Sequence, residues 1–433
     1  MNNLEISTRD LSVLWHPCTQ MKDHETIPLI PIAKGDGVYL EDFEGNRTID
    51  AISSWWVNLF GHCNPYINRK IKEQLDKLEH VILAGFTHEG IVRLSERLVA
   101  LSPKGLTRCF YADNGSSAIE VALKMSYHSH KNKGEERGLF VSLSESYHGE
   151  TLGALSIGDV ALYKETYEPL LIRSIQTPSP INQSIEAALE AAKSFESLLQ
   201  ERGGEIAALI VEPLVQGAGG MKMYHPLFLS EAKQLCERYG LHFIADEILV
   251  GFGRTGSMFA CEQADITPDF LVLSKGLTGG YLPLSAVLTT EEVYGSFYCD
   301  YNPSRSFLHS HSYTGNALAC AAANATLDIF ESENVIENNR RTIALIGEEL
   351  KRFEGLARVK EVRQCGMIAA IELEGFDPRE RIGLKIHQHC MREGVLIRPL
   401  GSVIYVMTPY VITSEELKRV FSAIERAIES IDI

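Results

Sequence analysis

A chain of 433 residues, 45% hydrophobic and 23% charged, is long enough for more than one packed core and too apolar for a disordered segment. Its 41 Lys and Arg against 57 Asp and Glu leave a formal net charge of -16, which argues against a free-standing nucleic-acid binder while leaving room for a local anion pocket. No apolar run approaches the ~20 residues that a membrane span needs. The opening stretch has no apolar signal-peptide core, and nine scattered cysteines without a CxxC pair fit reduced thiols in the cytoplasm.

Taken in chain order, residues 1–59 are rich in turns and short strands, such as 37–40 before the turn at Asp42 and Gly45. Nearly continuous apolar runs then predict strands buried on both faces at 108–112, 139–143, 207–211, 241–245, 270–274 and 284–289. Between them, 118–130 carries Ala118, Val121, Ala122 and Met125 on one helical face, with Glu120 and Lys124 spaced as an i,i+4 pair. A helix over 226–239 stops at Gly240, a suitable glycine just past a helix end. A long helical stretch covers 315–331, and beyond it helices surround short strands at 367–373 and 403–407. This alternation predicts an α/β fold. A large domain at 60–330 has a mostly parallel sheet sandwiched by helices. A smaller α+β domain is assembled from both chain ends, 1–59 and 331–433.

Four strand-end features can carry chemistry. Asp246 follows an apolar strand, where open α/β sheets bind ligands. Lys275 ends the next strand, where desolvation can lower its pKa and make it a nucleophile. A lone strand-end lysine more often opens an exposed loop, but Gly276, Gly279 and Gly280 behind it and a neighbouring carboxylate favour the functional reading. Asn114-Gly115-Ser116-Ser117 leads from a strand into a helix and can cradle an anion, although a plain N-cap serine produces the same pattern. Tyr147 and His148 follow another strand and can stack on a flat ring or simply pack. The GFGRTG stretch at 251–256 matches GxGxxG, but no long helix follows, so it does not read as a dinucleotide fingerprint. His309/His311 and His387/His389 lack an evident third ligand for a metal. A reactive amine, a carboxylate, an anion cradle and a stacking ring are together the parts that pyridoxal phosphate (PLP) requires.

Residues 245–288, ADEILVGFGRTGSMFACEQADITPDFLVLSKGLTGGYLPLSAVL, resemble the fold-type I, class III aminotransferases. NGSSAIEVALKM, SYHGETLGALS, VEPLVQGAGGM and SYTGNALACAAA extend the likeness over 112–323. Further motifs resemble the branch that aminates 8-amino-7-oxononanoate in biotin synthesis with S-adenosylmethionine as donor: Trp15-His16-Pro17, Ser54-Trp55-Trp56, VQGAGGMKMYHP and Arg398-Pro399 followed by IYVMTPY. The resemblance implies PLP as cofactor, these small molecules as substrates, and a homodimer with its site across the interface. By that likeness Lys275 bonds PLP and later shuttles a proton, and Asp246 keeps the pyridine nitrogen protonated. Gly115 and Ser116 hold the phosphate, which Ser312, next to His311, reaches from the partner subunit, and Tyr147 covers the ring. Trp55, Tyr147, Lys275 and Arg398 line the substrate site, with Arg398 pairing the acceptor carboxylate through a buried guanidinium fork. Cys18, Ser310 and Tyr405 are further contacts implied by position. Cys18 replaces a tyrosine common in the branch, and Ser310-His311 replaces a Gly-Pro or Gly-Gly pair. Two alternatives stay open. One is another ω-amino acid or diamine:pyruvate aminotransferase, or a lysine-using variant. The other is a PLP-binding fold kept for regulation or assembly without turnover.

Overall fold

The computed structural model describes residues 1–432. A seven-stranded sheet runs in the order Leu106–Ala112, Ser285–Thr290, Phe270–Leu273, His242–Asp246, Ile206–Val211, Leu139–Leu143, Ile175–Thr177. All neighbours are parallel except Ser285–Thr290, which is antiparallel to both of its partners. All six residues of Ile206–Val211 are buried, so the strand shows no polar alternation. Its side chains still divide between faces: Leu209 and Val211 join one core cluster, Ala208 and Ile210 the other. Helix Gly115–Asn132 covers the second face through Ala118, Val121, Ala122 and Met125. Helices Ile185–Arg202 and Leu227–Tyr239 cover the first through Phe195, Phe228 and Ala232. The latter helix stops where Gly240 turns left-handed at φ 70°.

Apart from the stretch at 37–40, the expected strands and helices are present, with ends shifted by no more than three residues. Several elements escape the periodicity reading, helices Pro65–Leu75 and Glu89–Leu101 among them. Strand Ile175–Thr177 is too short to show a pattern. Helix Ile185–Arg202 buries four alanines on its inner face, so its apolar contrast is weak. Strand Val359–Cys365 leaves one residue buried and pairs along an edge with Ile368–Leu373. Of the strand expected at 37–40, Tyr39 and Leu40 lie in strand Tyr39–Asp42, whereas Gly37 and Val38 form a hairpin turn. Gly37, at φ 56°, reverses the chain between Ile32–Asp36 and Tyr39–Asp42. That ribbon continues to Arg47–Asp50, which pairs in parallel with Val395–Leu396, so residues from both chain ends share one sheet. No helix among the described residues is long and apolar enough to cross a membrane.

Candidate active site

Three adjacent parallel strands end at one cavity. His242–Asp246 delivers Asp246, Phe270–Leu273 leads into Lys275, and Ile206–Val211 leads into Glu212; all three side chains line the cavity. Asp246 is 5% exposed, and its carboxylate accepts from His148 Nδ1 at 2.8 Å and from the Ile248 N–H at 3.1 Å. Glu212 accepts the N–H groups of Tyr147 and Gly217, both at 2.8 Å. Burial, reinforced by the charge of Asp246, pushes its carboxyl up to about 7. Lys275 keeps some exposure through the cavity mouth, yet its amine lies deep among protein atoms. That desolvation outweighs the two carboxylates and lowers it from 10.5 to about 8. The Nζ sits 4.5 Å from the centre of the Trp56 ring.

Helix Gly115–Asn132 starts at the same cavity, which Asn114, Gly115 and Ser116 line. Asn114 caps it by accepting the Ser117 N–H at 2.9 Å. The backbone ladder begins with Ala118 N–H to Asn114 O at 3.1 Å, so the N–H groups of Gly115 and Ser116 precede it at the positive end of the helix. Both glycines here permit close approach. A Cβ on Gly115 would lie 2.9 Å from Ile248, and one on Gly149, at φ 125°, would lie 2.1 Å from Ser116 Oγ.

Trp55 and Trp56 come from an unusual turn. Ser53, Ser54, Trp55 and Trp56 all have φ between 46° and 74°. Trp56 N–H to Ile52 O (2.8 Å) and Val57 N–H to Ser53 O (2.9 Å) close it as a left-handed helical turn. Such a conformation costs about 1–2 kcal/mol per non-glycine residue. Over the turn this rivals the lower end of a domain's stability, roughly 5–15 kcal/mol, so the surroundings must hold it. Trp56 lies edge-on to Tyr405 at 5.9 Å, while Trp55 lies 4.8 Å from the Arg398 guanidinium carbon. Arg398 donates from Nη2 to the Cys18 carbonyl at 2.9 Å. The Cys18 thiol meets Tyr163, which is edge-on to Tyr147 at 5.5 Å, and Tyr147 Oη donates to Glu150 at 3.1 Å. Burial raises both phenols, Tyr163 to about 12.

The structure thus brings Gly115, Ser116, Tyr147, Asp246 and Lys275 to one cavity; Cys18, Trp55 and Arg398 do not line it and connect to it through Tyr163, which meets Tyr147, and through Trp56. Two expectations change. Arg398 is exposed rather than buried. Tyr405 is 1% exposed behind Trp56 and does not line the cavity, because its strand position faces the core. Ser310, His311 and Ser312 stand outside this chain's own cavity. There His311 Nε2 pairs with Asp113 at 3.1 Å, and the Ser312 carbonyl accepts from His80 at 2.8 Å. The GFGRTG stretch is an interior turn. Its Arg254 is 1% exposed and donates to the carbonyls of Thr408 (2.7 Å) and Asn58 (3.0 Å).

Residues 20–428 match the family Aminotransferase class-III. The chain belongs to that family. An adenosylmethionine-8-amino-7-oxononanoate aminotransferase of Helicobacter pylori is 52% identical, with 98% of each chain covered. The crystal structure of the like-named enzyme of Methanocaldococcus jannaschii matches with a TM-score of 0.96 at 37% identity over 100% of both chains. A PLP-bound amine transaminase from an uncultivated Pseudomonas species matches with a TM-score of 0.91 at 31% identity, over 96% of this chain and 98% of that one.

Class III aminotransferases are PLP-dependent, and the cavity fits the cofactor on its own chemistry. An amine of lowered pKa can meet an aldehyde, a fixed carboxylate can face a ring nitrogen, and a helix start where glycines leave room can take a phosphate. Residue reading did not single out Glu212 in this aminotransferase. Its signal is the one that marks Asp246: a carboxylate at the end of a wholly buried strand. His148 stood in a quoted motif, but its partner Asp246 lies 98 residues away, which no local spacing reveals.

Proposed function

We propose that this aminotransferase converts 8-amino-7-oxononanoate to 7,8-diaminononanoate, with S-adenosylmethionine as amino donor, as a cytoplasmic homodimer. The observation that carries the reading is the Arg398–Trp55 pair, adjoining Trp56, which lines the Lys275/Asp246 cavity. It offers a cation for the acceptor's carboxylate and an aromatic face for the donor's sulfonium and adenine. The names and identities of the relatives support the same substrate pair. The exposed Ser312, with Ile82, Phe86, Leu308 and Tyr313 exposed on neighbouring segments, supports a second copy whose cavity receives that serine.

When bound, PLP supplies an aldehyde that takes up amines and a ring that accepts the electron pair left by a departing Cα proton. Lys275 Nζ is the nucleophile for that aldehyde and the base that carries the proton. Asp246, fixed by His148 and the Ile248 N–H, stabilises positive charge on the ring nitrogen. The Gly115 and Ser116 amides hold the phosphate. Tyr147 covers the ring, and its backbone is anchored on Glu212. One pocket serves donor and acceptor in turn, as ping-pong chemistry requires.

Arg398→Ala is expected to raise KM for the acceptor roughly tenfold and KM for the donor much less. A charge-assisted pair is worth roughly 1.5–3 kcal/mol, and the exposure of Arg398 places it at the lower end. Equal damage to both substrates would make the residue structural. The reading itself is tested by following diamine formation with a panel of donors. S-adenosylmethionine is expected to react well and lysine poorly, since lysine has no adenine to lie on Trp55. Faster reaction with lysine would overturn the donor assignment. Amination of pyruvate in preference to 8-amino-7-oxononanoate would overturn the acceptor.

A further inference from the structure

The left-handed Ser53–Trp56 turn is held chiefly by one carboxylate. Asp50 ends strand Arg47–Asp50 and is fully buried. Its Oδ2 accepts from Ser54 Oγ at 2.7 Å and from His62 Nε2 at 3.0 Å, and its Oδ1 accepts the Ile52 N–H at 3.3 Å. His62 Nδ1 in turn accepts from Asn58 Nδ2 at 3.2 Å, just past the turn. The same strand sets the height of Arg398. Asp50 lies opposite Leu396 in the parallel pairing, and Ala51 N–H donates to Leu396 O at 3.1 Å. Trp55 and Arg398 are thus registered against each other by one strand pair and one buried anion.

We propose that Asp50 is a positioning residue for carboxylate recognition: it holds the Ser53–Trp56 turn so that the Trp55 ring stays against the Arg398 guanidinium. The proposal deepens the reading above and rests on it, because it takes Arg398 as the acceptor's anchor. Asp50 does not touch the cavity residues Lys275 and Asp246 in this arrangement. Trp56, which the same turn places beside Lys275 Nζ, is held in addition by its edge contact with Tyr405, so the loss of Asp50 acts on substrate capture through Trp55 while the chemistry at Lys275 Nζ continues.

The test uses PLP-loaded enzyme. Asp50→Ala is expected to raise KM for 8-amino-7-oxononanoate at least tenfold, with kcat within threefold of wild type and bound PLP retained. Asp50→Asn, which keeps an acceptor for Ser54, is expected to hold KM within threefold. Adding Ser54→Gly to Asp50→Ala is expected to recover most of the lost KM, because glycine adopts positive φ without the carboxylate's help. Should Asp50→Ala fail to fold, Ser54→Ala removes the shortest of these bonds and is expected to raise KM at least threefold. An unchanged KM, a parallel fall of kcat and PLP content, or no rescue by glycine would overturn the proposal. The chain has three tryptophans, so near-ultraviolet circular dichroism in a Trp15→Phe background reads Trp55 and Trp56 without turnover. A loss of that signal in Asp50→Ala is expected whatever the acceptor, and an unchanged signal overturns the proposal. Wild-type enzyme inert toward 8-amino-7-oxononanoate would instead overturn the substrate reading.

Discussion

Lys275→Ala is expected to abolish transamination, a loss of roughly 10³-fold or more, because one amine is both nucleophile and proton carrier. Burial lowers that amine from 10.5 to about 8. At pH 7 the neutral, reactive form is then about 300 times more abundant than for a lysine of ordinary pKa. The Trp56 ring beside the Nζ still allows the ammonium form, so the residue can give a proton back. Alanine keeps the backbone and the phosphate cradle, so PLP is expected to bind without a covalent link. Turnover, together with the visible spectrum of the bound cofactor, checks this. Full activity in the purified variant would remove Lys275 from the mechanism.

Asp246→Asn is expected to lower kcat on the order of 100-fold while leaving the fold and most PLP binding intact. An amide keeps one oxygen to accept the Ile248 N–H, and its NH2 can donate to His148 Nδ1 in the other imidazole tautomer, so the local network survives. It cannot balance positive charge on a ring nitrogen in a site that excludes water. The loss therefore falls on the chemical step, and KM for both substrates is expected to change little. A kcat within threefold of wild type would mean that Asp246 does not face the ring.

The chemistry at strand ends was legible because a parallel sheet makes it so. Wholly apolar runs must be buried on both faces, and whatever polar residue follows them emerges at the ligand edge. This rule located Asp246 and Lys275, and it applies equally to Glu212, whose buried strand went unexploited. The Gly115 helix start was legible as a cap for the same local reason. The Trp55–Trp56 turn was not. No propensity assigns four left-handed residues to Ser-Ser-Trp-Trp, and the conformation depends on Asp50, His62 and the Met407 carbonyl, which accepts from Ser53 Oγ at 2.7 Å. Tyr405 was misjudged because a motif gives position along a strand but not which side faces the core. Arg398 was expected to be buried because a guanidinium fork for a carboxylate is usually pictured enclosed, whereas it lies two residues beyond strand Val395–Leu396 and is exposed.

The most direct test of the account is stepwise spectroscopy of the PLP-loaded enzyme, one substrate at a time. S-adenosylmethionine alone is expected to bleach the visible band of bound PLP in a single turnover, faster than lysine at equal concentration. Addition of 8-amino-7-oxononanoate to the bleached enzyme is expected to restore the band and release one diamine per site. A band that S-adenosylmethionine leaves untouched, or one that 8-amino-7-oxononanoate cannot restore, would contradict the account.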